Sequence, residues 1–162
     1  MAEASDILAA IKAVLETAYP ATPVRTSKRA AAGGKQLVGG WAQGYPTTCF
    51  VVSCSDGEEV DKCGDFEYVS VGYKVVVEYV KPAQAAVAAA VDSGPAPVVE
   101  DPDVRDKRET MRGALYKTLA GVGGAFDTRH RSLPAYDQPG EGGAVLLVSG
   151  QEYTITTVVP RP

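Results

Sequence analysis

The stretch Tyr68 to Pro82, YVSVGYKVVVEYVKP, constrains the fold more than any other part of the chain. From Val69 to Tyr79 the odd positions read Val, Val, Tyr, Val, Val, Tyr, and the even positions read Ser, Gly, Lys, Val, Glu. Side chains of a strand point alternately to its two faces, so the pattern predicts a half-buried strand with its odd residues inward. At ~3.3 Å per residue the run from Tyr68 to Lys81 reaches ~46 Å. A compact domain of 162 residues has a radius of gyration of only ~15 Å. The strand is therefore expected to cross the whole body and to project as one arm of a long β-hairpin. A projecting ribbon with open edges is stable only when a neighbour covers it, which points to self-association.

The flanking segments supply the remaining elements. Ser5 and Asp6 are placed to cap a helix whose apolar stripe is Ile7, Leu8, Ile11, Val14, Leu15 and Ala18, with Pro20 ending it. A glycine-rich segment from Ala21 to Pro46 reads as a long loop or an interrupted strand. TTCFVVS, Thr47 to Ser53, reads as a strand, and Asp56-Gly57 as turn chemistry ahead of the long strand. A second helix has Asp101 at its N-cap and Pro102 in its first turn. Its apolar face is Val104, Met111, Ala114, Leu115 and Leu119, and its exposed face carries Arg105, Lys107, Arg108, Arg112 and Lys117. After a loop from Phe126 to Gly143, two further strands are expected, AVLLVS and YTITTVV, joined at Gly150-Gln151. The fold class that follows is α+β, with a largely antiparallel sheet and a long β-hairpin packed against two α-helices. The expected organisation is a single domain, 1–162, with a flexible Ala/Pro-rich loop at about 83–101.

Composition sharpens the case for assembly. The chain has 23 alanines and 22 valines but only 8 leucines and 3 isoleucines, so it favours strands and is short of bulky core side chains. Net charge is −4, which argues against a general polyanion binder. The charge is nonetheless divided. Arg25, Lys28, Arg29 and Lys35 lie in a run, Ala18 to Thr48, without an acidic residue, whereas Asp56, Glu58, Glu59, Asp61, Asp65 and Glu67 crowd around Lys62. The four basic residues are the candidate partner-binding residues, because a glycine- and alanine-rich segment buries little and leaves its charge available to a partner; the other reading is of two solvated loops that differ in sign. Neither a secretory leader nor a membrane span is legible, so a reduced, intracellular setting is expected for Cys49, Cys54 and Cys63.

The segments nearest to catalytic and metal motifs do not complete them. AAAGGKQL has Arg29 where a phosphate loop needs its first glycine and Gln36 where it needs Ser or Thr. GVGGAF ends in Phe126 instead of a third glycine and follows a helix, so it reads as a helix stop. Cys49, Cys54, Cys63 and His130 lack zinc-ligand spacing, and strand alternation puts Cys49 and Cys54 on opposite faces. DTRHRS holds Asp127, His130 and Ser132, but neighbours in one segment are not a triad. DGEEVD has its glycine in the second position, where a calcium loop needs it sixth. No catalytic residue, cofactor or metal is expected.

With its elements in order the chain resembles the phage tail-terminator family, also called minor tail or tail-completion proteins. The likeness lies in the opening helix SDILAAIKAVLETAYP, the strand YVSVGYKVVVEYV, the helix DVRDKRETMRGALYKTL and the closing pair VLLVSGQEYTITTVV. It implies a non-enzymatic structural protein of the virion tail or neck, assembled in the host cytoplasm. It also implies a homo-oligomeric ring, hexameric in this family, at the head-proximal end of the tail tube. Its partners would then be copies of itself, the tail tube protein and the head–tail connector protein, with DNA passing through the bore and no membrane involved. Other readings are a head–tail connector or stopper ring of the neck, a small ligand-binding or enzymatic α+β domain, and a nucleic-acid-binding module using the basic run.

Overall fold

In the computed structural model the residues described are 3–25, 48–61, 68–82, 101–123, 125–139 and 145–160. The order is α1 (Ala4–Ala18), β1 (Val24–Arg25), β2 (Cys49–Cys54), β3 (Glu58–Asp61), β4 (Tyr68–Pro82) and α2 (Pro102–Thr110). A π-helical turn (Met111–Leu115), α3 (Tyr116–Ala120), β5 (Ala125–Ser132), β6 (Tyr136–Pro139) and β7 (Val145–Pro160) complete it. The α+β class and the largely antiparallel sheet are as expected; among the described residues only β1 and β2 pair in parallel.

The long strand exists with the predicted bounds, but it does not project. β4 pairs along its full length with β7, from Tyr68 opposite Pro160 to Pro82 opposite Leu146. Its main partner is thus the last strand of the chain, not an adjoining hairpin arm. The other edge of β4 is covered by β2 against Val75 to Val80 and by β3 against Ser70 to Gly72. Between those two strands Ser55 keeps the ladder closed: its N–H donates to the Lys74 carbonyl (2.9 Å) and its Oγ accepts from the Lys74 N–H (2.9 Å). β7 is flanked in the same way by β5 and β6, with the Leu133 N–H bridging to the Gly150 carbonyl (3.0 Å). Backbone groups of a buried strand must be paired, and here four short strands do for two long ones what a neighbouring molecule would otherwise have to do.

Two expectations fail at β7 and β5. Gly150-Gln151 is not a turn: β7 runs through it as one strand. Glycine is used there because a Cβ on Gly150 would lie 3.2 Å from the Glu78 side chain and 3.4 Å from that of Leu133. The expected loop from Phe126 onward contains β5 and β6, whose polar composition hid them. The acidic segment likewise contains β3, reached through Gly57, where a Cβ would come within 2.5 Å of Val71 and 3.0 Å of the Tyr73 ring.

Both helices lie on one face of the sheet. Ile7, Ile11 and Leu15 of α1 and Val104, Met111, Leu115 and Leu119 of the second helical rod are buried against Phe50, Val52, Val75, Val77, Tyr79, Tyr153 and Ile155. The opposite face holds a smaller buried cluster at one end: Cys49, Val51, Val80, Leu146 and Val148. Cys49 and Cys54 do fall on opposite faces, as alternation requires. The α1 cap differs from expectation: Glu3 is the N-cap residue, and its N–H donates to the Asp6 carboxylate (3.0 Å) from inside the first turn. Asp101 caps α2 as expected, accepting from the N–H groups of Asp103 and Val104. Ala114, read as inward, is exposed, because the π-helical turn adds a residue and rotates the face. The Met111 carbonyl within that turn accepts a hydrogen bond from the Tyr153 hydroxyl, which ties the rod to β7.

Candidate functional site

The polar chemistry is gathered in three places. The first is where the end of β4 meets the start of α2. Tyr79, inward on β4, donates to Asp103 Oδ2 (2.5 Å), and Lys81 bridges Asp101 (2.8 Å) and Asp103 (3.3 Å). Lys107, one turn along α2, donates to Asp103 Oδ1 (2.6 Å) and sits over the rings of Tyr19 and Tyr79. Contrary to its expected place on the exposed face, Lys107 is buried, because those two rings and Asp103 form a cation-binding seat beneath the helix. Tyr19 hydrogen-bonds with Asp106 (2.9 Å) and Thr110 (2.7 Å).

Burial pushes the Asp103 carboxyl up, but hydrogen bonds from Lys107, Tyr79 and Lys81 outweigh it and bring its pKa down to about 2. Burial pulls Lys81 down, yet its bonds to Asp101 and Asp103 leave it above its ordinary value. Tyr79 is raised by burial and then by the Asp103 charge. None of these three shifts brings its group towards neutral pH. The cluster is therefore suited to clamping α2 onto β4, not to proton transfer.

The second place is the inner face of β5. His130 Nε2 lies 2.5 Å from Gln151 Oε1, and the Ser132 hydroxyl donates to the same oxygen (3.0 Å). Ser132 is thus directed at the glutamine and not at the imidazole. Asp127 belongs to the other face and pairs with Arg129 (3.1 Å). The three residues noted in DTRHRS are not brought together as a nucleophile, base and orienting acid. Burial raises the Cys54 thiol and makes it a poorer nucleophile, while Cys63 lies outside the described residues. Among the described residues no three His, Cys, Asp or Glu side chains converge as a metal site would require.

The third place is the open face of the sheet. Lys74 of β4, Glu152 of β7 and Arg131 of β5 form a row across three strands, with Glu152 accepting from Lys74 (3.2 Å) and Arg131 (2.9 Å). A shallow depression of about 260 Å³ runs beside them, lined by Arg129, His130, Arg131, Glu152 and Thr154. At the two sides of this sheet lie β3, with exposed Glu58 and Glu59, and β5, with exposed Arg129 and Arg131. Sequence reasoning noticed the acids but not the arginines, because DTRHRS carries no apolar alternation to mark it as a strand.

Of the predicted partner-binding residues, Arg25 is placed on the edge strand β1 with an exposed side chain. Lys28, Arg29 and Lys35 lie outside the described residues. Among the described residues no helix is long and apolar enough to cross a membrane. No protein-family model matches the chain, and no curated protein matches it in sequence.

Proposed function

We propose that this chain is a structural virion protein of a long-tailed phage, a subunit of a ring at the head-proximal end of the tail tube. The ring ends tail polymerisation and joins the tail to the head connector. The observation that carries this reading is the full-length β4–β7 pair, covered by helices on one face and bearing a row of charges on the other. Such a body is a two-faced slab. Its densest buried polar cluster holds an internal joint together, and its open face offers charge for docking.

The ring's partners are further copies of itself, the tail tube protein and the connector, and DNA passes through the bore. Arg25, Lys28, Arg29 and Lys35 reach a neighbouring ring or line the bore, where contacts with passing DNA must be weak enough to let it move. The test is removal of this chain from the phage that encodes it, with electron microscopy of the particles and native mass measurement of the pure protein. Expected are unjoined heads, tails of irregular length and an oligomer of six times 16.9 kDa. Normal tails joined to heads in its absence would overturn the reading. Replacing the four basic residues by Gln should reduce joining in a salt-sensitive manner while leaving subunit melting unchanged.

A further inference from the structure

Among the described residues, β3 pairs only with β4 and β5 only with β7, so each presents an outer backbone edge on an opposite side of the sheet; on β5 the outward Thr128 carbonyl also accepts from the Tyr116 hydroxyl (3.0 Å) and has its second lone pair left for a partner strand. The two edges differ in sign. Glu58 and Glu59 are exposed on β3, and Arg129 and Arg131 on β5. Since β3 is antiparallel to β4, β4 to β7 and β7 to β5, β3 is also antiparallel to β5. A second copy set beside the first in the same orientation therefore offers its β3 to the first copy's β5 as an antiparallel partner.

We infer that this contact joins successive subunits, with β3 of one copy adding to β5 of the next. The inference rests on the ring reading and names the surface that builds it. Charge bears on the geometry in two ways. Two β3 edges set acid against acid, so a two-fold dimer through β3 is disfavoured, whereas β3 against β5 brings acids to arginines in the head-to-tail contact that closes rings. Charge also sets the register. Through Gly72 and Thr156, Glu58 stands level with Asp127, so an unstaggered contact would set acid against acid. A stagger of two residues keeps every side chain on its own face and places Glu58 opposite Arg129 of the next subunit, with Arg131 on one diagonal and Asp127 on the other, so the direct pair is favourable and the diagonals offset each other. Sheets that close on themselves need such a stagger. Arg129 is available for the exchange, because its pair with Asp127 joins side chains 79% and 41% exposed and so holds it weakly.

The experiment is a charge swap on the full chain, read by native mass spectrometry and light scattering at low salt. One variant carries Glu58→Lys with Glu59→Lys, the other Arg129→Glu with Arg131→Glu. Each alone should lose about tenfold or more of its ring fraction, and an equimolar mixture should restore rings of alternating subunits. Because Arg131→Glu sets an acid beside Glu152, a single Arg129→Glu variant with wild-type melting serves as the folding control. Wild-type rings whose amount neither variant changes, or a mixture that fails to restore them when both chains melt normally, would overturn the edge contact and leave the ring reading standing. A wild-type chain that forms no ring, alone or on tail tubes, would overturn both.

Discussion

On the helix side of the sheet Val75, Val77, Tyr153 and Ile155 lie beneath α1 and the second helical rod, fully buried. Their immediate neighbours in the same strands, Lys74, Val76, Glu152 and Thr154, point the other way and form the charged row or its surroundings. One residue along the chain separates a site that accepts only shape from one that tolerates exchange of charge. Burial makes the difference, since an unpaired charge in the first setting loses its hydration with nothing in return, whereas in the second water still solvates it. The open face can be varied while the other keeps the fold.

The sharpest way to break this contrast is to place an acid on each face at adjacent positions. Val75→Asp should abolish soluble folding, at a cost of several kcal/mol, whereas Lys74→Asp should melt within a few degrees of wild type. Equal tolerance of the two in a solubility and thermal-melting assay would mean that the faces are wrongly assigned.

Next in size is the tie between rod and sheet. Tyr153→Phe leaves the Met111 carbonyl without its donor and should destabilise the protein by about 1–3 kcal/mol, seen as a lower midpoint in urea with unchanged slope. A smaller, pH-dependent effect belongs to the clamp on α2. The folded-state pKa of Asp103 is depressed to about 2 from 3.8, so its contribution is fully present above about pH 4 and is lost as pH falls towards 2. Asp103→Asn should therefore lower the melting temperature at pH 7 and narrow its gap to wild type at pH 2.5. The side chain is 41% exposed, so after solvent screening the expected loss is only ~1 kcal/mol. The smallest effect is on the open face: Glu152→Gln removes two exposed-partner ion pairs and should change stability by less than ~1 kcal/mol. A large loss there would show that the open face is part of the folding core after all.

The sequence by itself determined the elements whose pattern is apolar and periodic. The bounds and inward face of β4, the stripe of α1, the Asp101 cap and the split of Cys49 from Cys54 all follow from side-chain alternation and local hydrogen bonding, which are properties of a few neighbouring residues. Strands β3, β5 and β6 were not legible, since they are edge strands rich in polar residues and are held by a ladder to β4 or β7 instead of by their own burial. Gly150 looked like a turn because glycine permits one; only the side chains of Glu78 and Leu133 beside it explain why it serves inside a strand. Lys107 looked solvated because its seat is made by Tyr19 and Tyr79, residues distant in the chain. The open-face row of Lys74, Glu152 and Arg131 was hidden for the same reason, as its members come from three strands that the sequence keeps far apart. Pairing across long chain separations is what only the tertiary structure decided, because its energy depends on which backbone edges meet, and no local pattern records that.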